Sequence, residues 1–98
     1  MVLDKKVAEQ TVDFLTQINA IKLNTKNPFT WTSGIKSPIY CDNRLVLSYP
    51  KIREFIANSM SQIIKKKYGN NISVVGVATG AIAIGIMIAE RLNLPYAY

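Results

Sequence analysis

Two segments of this 98-residue chain bring chemically useful groups together at short spacing. The first is Gly76-Val-Ala-Thr-Gly-Ala-Ile82, a run of small residues between a β-branched stretch and an apolar helical one. Backbone N–H groups at the start of a helix lack intrahelical acceptors, and the helix dipole adds partial positive charge. A phosphate or diphosphate can therefore be held there without a cationic side chain, provided the side chains are small enough to let it approach. The spacing of Gly76, Gly80 and Gly85 does not fit G-x-G-x-x-G, and a P-loop needs glycine where Ala81 stands, followed by lysine. Close packing of a strand on a helix accounts for the same small residues equally well.

The second segment is Phe29-Thr-Trp-Thr-Ser-Gly-Ile-Lys-Ser-Pro-Ile-Tyr-Cys-Asp-Asn-Arg44. An aromatic side chain near a lysine can grip a flat anionic ring by its face and its carboxylate, which makes Tyr40 and Lys36 candidates. Against this, Trp31 and Tyr40 can be core aromatics, and Asp42 and Arg44, two apart on a strand, can be a surface ion pair. For Asp42 and Arg44 the ion pair is the preferred reading; for Lys36 and Tyr40 the residues alone do not decide.

Composition limits what these segments can do. There is no histidine and one cysteine, so a Ser-His-Asp triad, a Cys-His dyad and a Cys/His zinc site are excluded. The single thiol, Cys41, cannot close an intrachain disulfide and points to a reducing compartment, the cytoplasm by default. The amino terminus, Met1-Val-Leu-Asp-Lys-Lys, carries charge where a secretory signal needs an apolar stretch. The longest uncharged apolar run, residues 81–89, is far shorter than the roughly 20 residues a bilayer requires, so neither export nor a membrane partner is expected. A net charge of +6 admits nucleic acid, anionic surfaces or small anions.

The elements that must position the two segments are legible in outline. Residues 4–20 read as an amphipathic helix capped by Asp4, with Leu3, Val7, Phe14 and Ile18 on one stripe. Between residues 21 and 47, turn residues separate two or three short strands around Phe29-Thr-Trp-Thr32 and Ile39-Tyr-Cys41. Ser48 is placed to cap a second helix, with Pro50 in its first turn and Ile52, Phe55, Ile56, Met60, Ile63, Ile64 and Tyr68 at spacings of three and four. Lys65, Lys66 and Lys67 fall in its last turn before Gly69, where cations complement the helix dipole; this explains the run better than nucleic-acid binding does. Residues 72–77 suit a strand buried on both faces, residues 82–93 a helix, and Tyr96-Ala-Tyr98 a further strand, which together make a right-handed βαβ unit. That helix is apolar nearly all round, so more chain or a partner is expected to cover it. The fold class is α/β, with residues 1–47 forming a helix and small β hood and residues 48–98 a helix and the start of a parallel core.

The string from Phe29 to Arg44, continuing through Leu45-Val-Leu-Ser-Tyr-Pro50, resembles the amino-terminal region of the orotate phosphoribosyltransferases, whose pattern is F-x-x-x-S-G-x-x-S-P-x-Y-x-D-x-R. Gly76-Val-Ala-Thr-Gly-Ala-Ile-Ala falls where that family has its diphosphate-binding loop, often with a cis peptide. The resemblance covers essentially the whole chain but about the first half of the family's domain, a truncated phosphoribosyltransferase sheet.

It implies transfer of a phosphoribosyl group from 5-phosphoribosyl 1-diphosphate to orotate, with magnesium held mainly through the diphosphate, in a cytoplasmic homodimer. Orotate would be held at Tyr40 and Cys41, with Lys36 supplying charge where Thr32 replaces a family lysine. Diphosphate would be held at Ala78, Thr79, Gly80 and Ala81, in a loop lacking the family's Tyr-Lys pair. No catalytic or metal-ligating residue is expected in this segment, because the family's closing loop and acidic ribose-phosphate motif correspond to positions beyond Tyr98; the segment is expected to be inactive alone. A phosphoribosyltransferase acting on purine bases and a noncatalytic module that pairs with another chain are the competing readings.

Overall fold

The computed structural model describes residues 2–98; Met1, the first residue of the charged amino terminus, lies outside the described residues. In chain order the elements are α1 (Lys5–Gln17), β1 (Ile21–Leu23), β2 (Phe29–Thr30), β3 (Lys36–Ser37), β4 (Ile39–Cys41), a 3-10 helix (Asn43–Ser48), α2 (Pro50–Tyr68), β5 (Val74–Val75), α3 (Ile82–Leu92) and β6 (Tyr96–Ala97). The chain divides into two compact units, Met1–Val46 and Leu47–Tyr98. The mixed helix and strand content is that of the expected α/β fragment.

In the first unit, α1 begins where the Asp4 carboxylate accepts the Val7 N–H at 3.1 Å. It ends three residues earlier than the sequence suggests. Asn19 turns left-handed (φ 55°), and the N–H groups of Asn19 and Ala20 close back onto the carbonyls of Thr16 and Leu15. Ile18 and Ala20 are buried, whereas Leu3, expected on the packing stripe, is exposed. Leu3 precedes the cap residue, so helical periodicity does not govern where it points.

Four short strands replace the two or three expected. β1 and β4 pair antiparallel, with Ile21 opposite Cys41, Lys22 opposite Tyr40 and Leu23 opposite Ile39. β2 and β3 form an antiparallel hairpin with Phe29 opposite Ser37 and Thr30 opposite Lys36. Its turn is closed by the Trp31 N–H donating to Ile35 and the Gly34 N–H donating to Trp31, both at 2.8 Å, with Gly34 at φ 85°, a conformation that glycine adopts without steric cost. The buried Ser37 hydroxyl accepts the Ile39 N–H at 3.2 Å and so carries the chain around Pro38 from β3 into β4.

In the second unit, the residue preceding α2 is Tyr49, not Ser48, and no side chain caps the helix. Pro50 is the first helical residue, and its ring disfavours helical geometry in the residue before it, so Tyr49 is extended (φ −114°, ψ 98°) and the boundary moves by one. The Lys65–Lys67 turn and the exit at Gly69 (φ 71°) are as expected. The buried positions of α2 are Ile52, Ala57 and Ser61; Met60 and Tyr68 fall off this stripe and are exposed. The Ser61 hydroxyl donates to the Ala57 carbonyl at 2.7 Å, which satisfies it in the interior.

Helix α3 packs on α2 and on both strands of this unit. It buries Gly85, Ile88 and Ala89, leaves Ile86 exposed, and joins α2 through an Arg91–Glu54 ion pair. β5 and β6 run parallel, Val74 opposite Tyr96 and Val75 opposite Ala97, so α3 is the crossover of a βαβ unit. The strand expected over residues 72–77 shrinks to two residues, which pair with β6 and with no other strand among the described residues. Nor is it buried on both faces: Val75 and Val77 are exposed.

Truncating Ile88 to alanine removes a side chain that is 3% exposed, and should lower unfolding free energy by about 2–4 kcal/mol. Ile86→Ala, at 44% exposure on the same helix, should cost under about 1 kcal/mol. Urea-unfolding midpoints of the two variants give the comparison.

Candidate active site: an aromatic strand and a small-residue loop

In the first unit, Tyr40 stands on β4 directly across from Lys22. Its ring lies 5.8 Å from that of Phe29, inclined at 40°, a tilted aromatic pair. The Trp31 indole N–H donates to the Ile39 carbonyl at 3.2 Å, which sets the indole against the backbone of the same strand. Trp31 and Tyr40 are both more than a third exposed, so neither is a core aromatic. They form an accessible surface of rings held by backbone.

Cys41, the next residue, points to the opposite side of the strand. Its exposed thiol donates to the Asn43 side-chain oxygen at 3.3 Å. Lys36 is exposed on β3, in the other ladder of this unit, opposite Thr30. The candidate with no signature in the sequence is Lys22. Only the register of β1 against β4 sets Lys22 across from Tyr40, and nothing in the spacing of residues 21–41 discloses that register.

Asp42 and Arg44 form the local pair expected of them, though not on a strand. Asp42 follows β4 and Arg44 lies in the 3-10 helix. The Arg44 backbone N–H donates to Asp42 Oδ1 at 3.1 Å, its Nε to Oδ1 at 2.9 Å and its Nη2 to Oδ2 at 3.0 Å. The Asp42 N–H in turn donates to the Ala20 carbonyl at 2.9 Å. This clamp fixes the chain direction immediately after Tyr40 and Cys41. The Arg44 side-chain hydrogen bond holds the Asp42 carboxyl below its ordinary range, aided by the charges of Arg44 and Lys22, and the same bond raises Arg44.

In the second unit, the chain from β5 to α3 passes through Gly76, which is buried, and then through residues 77–81, all exposed. The Ala78–Thr79 peptide is cis. Ala81 donates to the Val77 carbonyl at 3.1 Å and Ile82 to the Thr79 carbonyl at 3.3 Å, so two amides at the helix start are used within the loop itself. Those of Ala78, Thr79 and Gly80 have no acceptor among the described residues. No side chain caps α3 at Ala81, and a Cβ placed on Gly80 would meet open space. The N–H groups of Val77, Ala83 and Ile84 likewise have no acceptor among the described residues, so free donors run along the loop and into the first turn of α3. Among the described residues no three His, Cys, Asp or Glu side chains converge to hold a metal ion.

No protein-family model matches the chain. The orotate phosphoribosyltransferase of Phocaeicola vulgatus is 52% identical to it over 96 residues, which is 98% of this chain and 43% of that protein. The orotate phosphoribosyltransferase of Listeria innocua is 48% identical over all 98 residues, or 45% of its own length. The chain is homologous to the amino-terminal part of the orotate phosphoribosyltransferases. It spans less than half the length of these curated relatives. The crystal structure of orotate phosphoribosyltransferase from Aeropyrum pernix matches with a TM-score of 0.76 at 25% identity, over 90% of this chain and 51% of that one. Leishmania donovani UMP synthase, at 23% identity, shares the fold with a TM-score of 0.72 over 95% of this chain and 19% of its own. The phosphoribosyltransferase fold inferred from residues 29–50 and 76–83 is therefore observed. The aromatic strand and the small-residue loop both lie within the stretch that aligns with these relatives.

The Asp42 carboxyl should titrate below the ordinary value of about 3.9 in a carbon-detected NMR titration, and Arg44→Gln should return it toward that value. Since the folded value lies below the unfolded one, the pair's contribution to stability is complete above about pH 4 and is lost as the pH falls through the folded value.

Proposed function

We propose that a protein containing these residues transfers the phosphoribosyl group of 5-phosphoribosyl 1-diphosphate to orotate, releasing diphosphate and forming orotidine 5′-monophosphate. The observation that carries this reading is the identity of about half the residues to orotate phosphoribosyltransferases across nearly the whole chain. Departure of diphosphate leaves a cation-like ribose carbon, so the protein's task is to position both reactants, stabilise the leaving group and keep water out.

On this reading Tyr40 offers its ring face to the flat orotate ring, the backbone at Tyr40 and Cys41 fixes the ring's edge, and Lys36 supplies positive charge for the carboxylate. The exposed amides of Ala78, Thr79 and Gly80, with Ala81 completing the small-residue surface, take the diphosphate oxygens. Both substrates are anions, in keeping with the +6 charge. On this reading magnesium would be held mainly through the diphosphate. A homodimeric assembly and a cytoplasmic location belong to the same proposal; no helix among the described residues is long and apolar enough to cross a membrane.

Trp31 is the only tryptophan and sits against the strand that carries Tyr40, so its fluorescence should report orotate binding. Orotate should change the emission saturably, whereas hypoxanthine and adenine should not. Tyr40→Ala should weaken orotate at least about tenfold, the loss of roughly 1.4 kcal/mol of ring contact. Equal response to the purines, or an unaltered orotate affinity in Tyr40→Ala, would overturn this assignment.

A further inference from the structure

We propose that Tyr96, on β6, is a positioning residue for the loop of residues 77–81, holding its end at Ile82 while the neighbouring Ala97 carbonyl holds its end at Gly76, so that the free amides between them stay presented to an anion. This rests on the reading of that loop as the diphosphate site.

The loop leaves β5 at Gly76 and enters α3 at Ile82, and β6 reaches both points. At the first, the Gly76 N–H donates to the carbonyl of Ala97, the neighbour of Tyr96, at 2.9 Å. At the second, the Tyr96 hydroxyl donates to the Ile82 carbonyl at 2.7 Å, a bond between residues fourteen apart in sequence. The tyrosine ring gets there by occupying space that two glycines leave empty. A Cβ on Gly76 would collide with the Tyr96 hydroxyl and come within 2.9 Å of the Ala81 carbonyl oxygen. A Cβ on Gly85 would stand 2.9 Å from Tyr96 Cε2, closer than real side chains pack, and 3.2 Å from Gly76 Cα, a tight contact.

Gly76, Gly85 and Tyr96 are therefore one device: two missing side chains form a notch, and one long side chain fills it and ends on the first turn of the helix. None of the three belongs to the exposed stretch that would meet ligand, which is why Tyr96 acts through the loop. Without this hold the loop would have to be ordered when the anion binds, and the affinity would fall by that entropic cost.

Tyr96→Phe keeps the ring in the notch and removes only the bond to Ile82. Amide hydrogen exchange followed by NMR on the whole chain should show the Ala81 and Ile82 amides, both bonded inside the loop, exchanging about fivefold faster, as expected for one net hydrogen bond lost to local opening. The α2 amides should be unchanged, and the dissociation constant for inorganic diphosphate should rise by a similar factor. Gly85→Ala, which displaces the ring while keeping the hydroxyl, should speed the same two amides. Unchanged exchange at Ala81 and Ile82 in Tyr96→Phe overturns the proposal, as does acceleration spread evenly through α2, which would make Tyr96 a general packing residue. Equal diphosphate affinities in the two chains also overturn it. A wild-type chain that does not bind diphosphate, while showing the exchange contrast, counts instead against the diphosphate reading of the loop.

Discussion

Everything in the second unit turns on how closely α3 approaches β5. The contact is made at Gly76 and Gly85, where an added Cβ would force its neighbours to shift, and the helix, the strand and the tyrosine of β6 meet in the space so left. Because the strand and helix come this near to each other, the connection between them is short and made of small residues. It uses the amides of Ala81 and Ile82 to close on itself and leaves those of Ala78, Thr79 and Gly80 without an acceptor among the described residues. Close packing and the proposed phosphate binding, which compete as explanations at the level of sequence, are therefore compatible in this loop: the small residues that the packing requires are the ones whose amides are left without acceptors.

The first unit solves a different problem, that of presenting aromatic rings on strands of two or three residues. Such strands have little ladder to hold them, and the fixing is done by side-chain bonds to backbone: Ser37 at the β3–β4 bend, the Trp31 indole on Ile39, and the Asp42–Arg44 clamp after Cys41. The clamp is solvent-exposed, so its value is directional more than energetic. It sets the path by which the chain leaves β4, and with it the backbone at Tyr40 and Cys41.

Much of this was legible in the residues. The Asp4 cap, the lysine-rich end of α2, its exit at Gly69 and the strand–loop–helix–strand order all follow from local chemistry, and local chemistry decided them. The motif from Phe29 to Arg44 was legible as a family pattern. What could not be read depends on partners distant in sequence. Lys22 opposite Tyr40 is a matter of register between β1 and β4. The exposure of Val75 reflects a sheet with one pairing strand, and the shift of the α2 stripe to Ala57 and Ser61 is set by the face that α3 presents. Tyr96 was read only as the start of a strand, since its bond to Ile82 spans a whole helix.

In the proposed function free amides of the loop, and not a cationic side chain, bind the diphosphate. Backbone amide shifts of the chain titrated with inorganic diphosphate measure this residue by residue. The largest saturable shifts are expected at Ala78, Thr79 and Gly80, with the Lys65–Lys67 turn unmoved. Shifts centred on those lysines, with the loop silent, would contradict it.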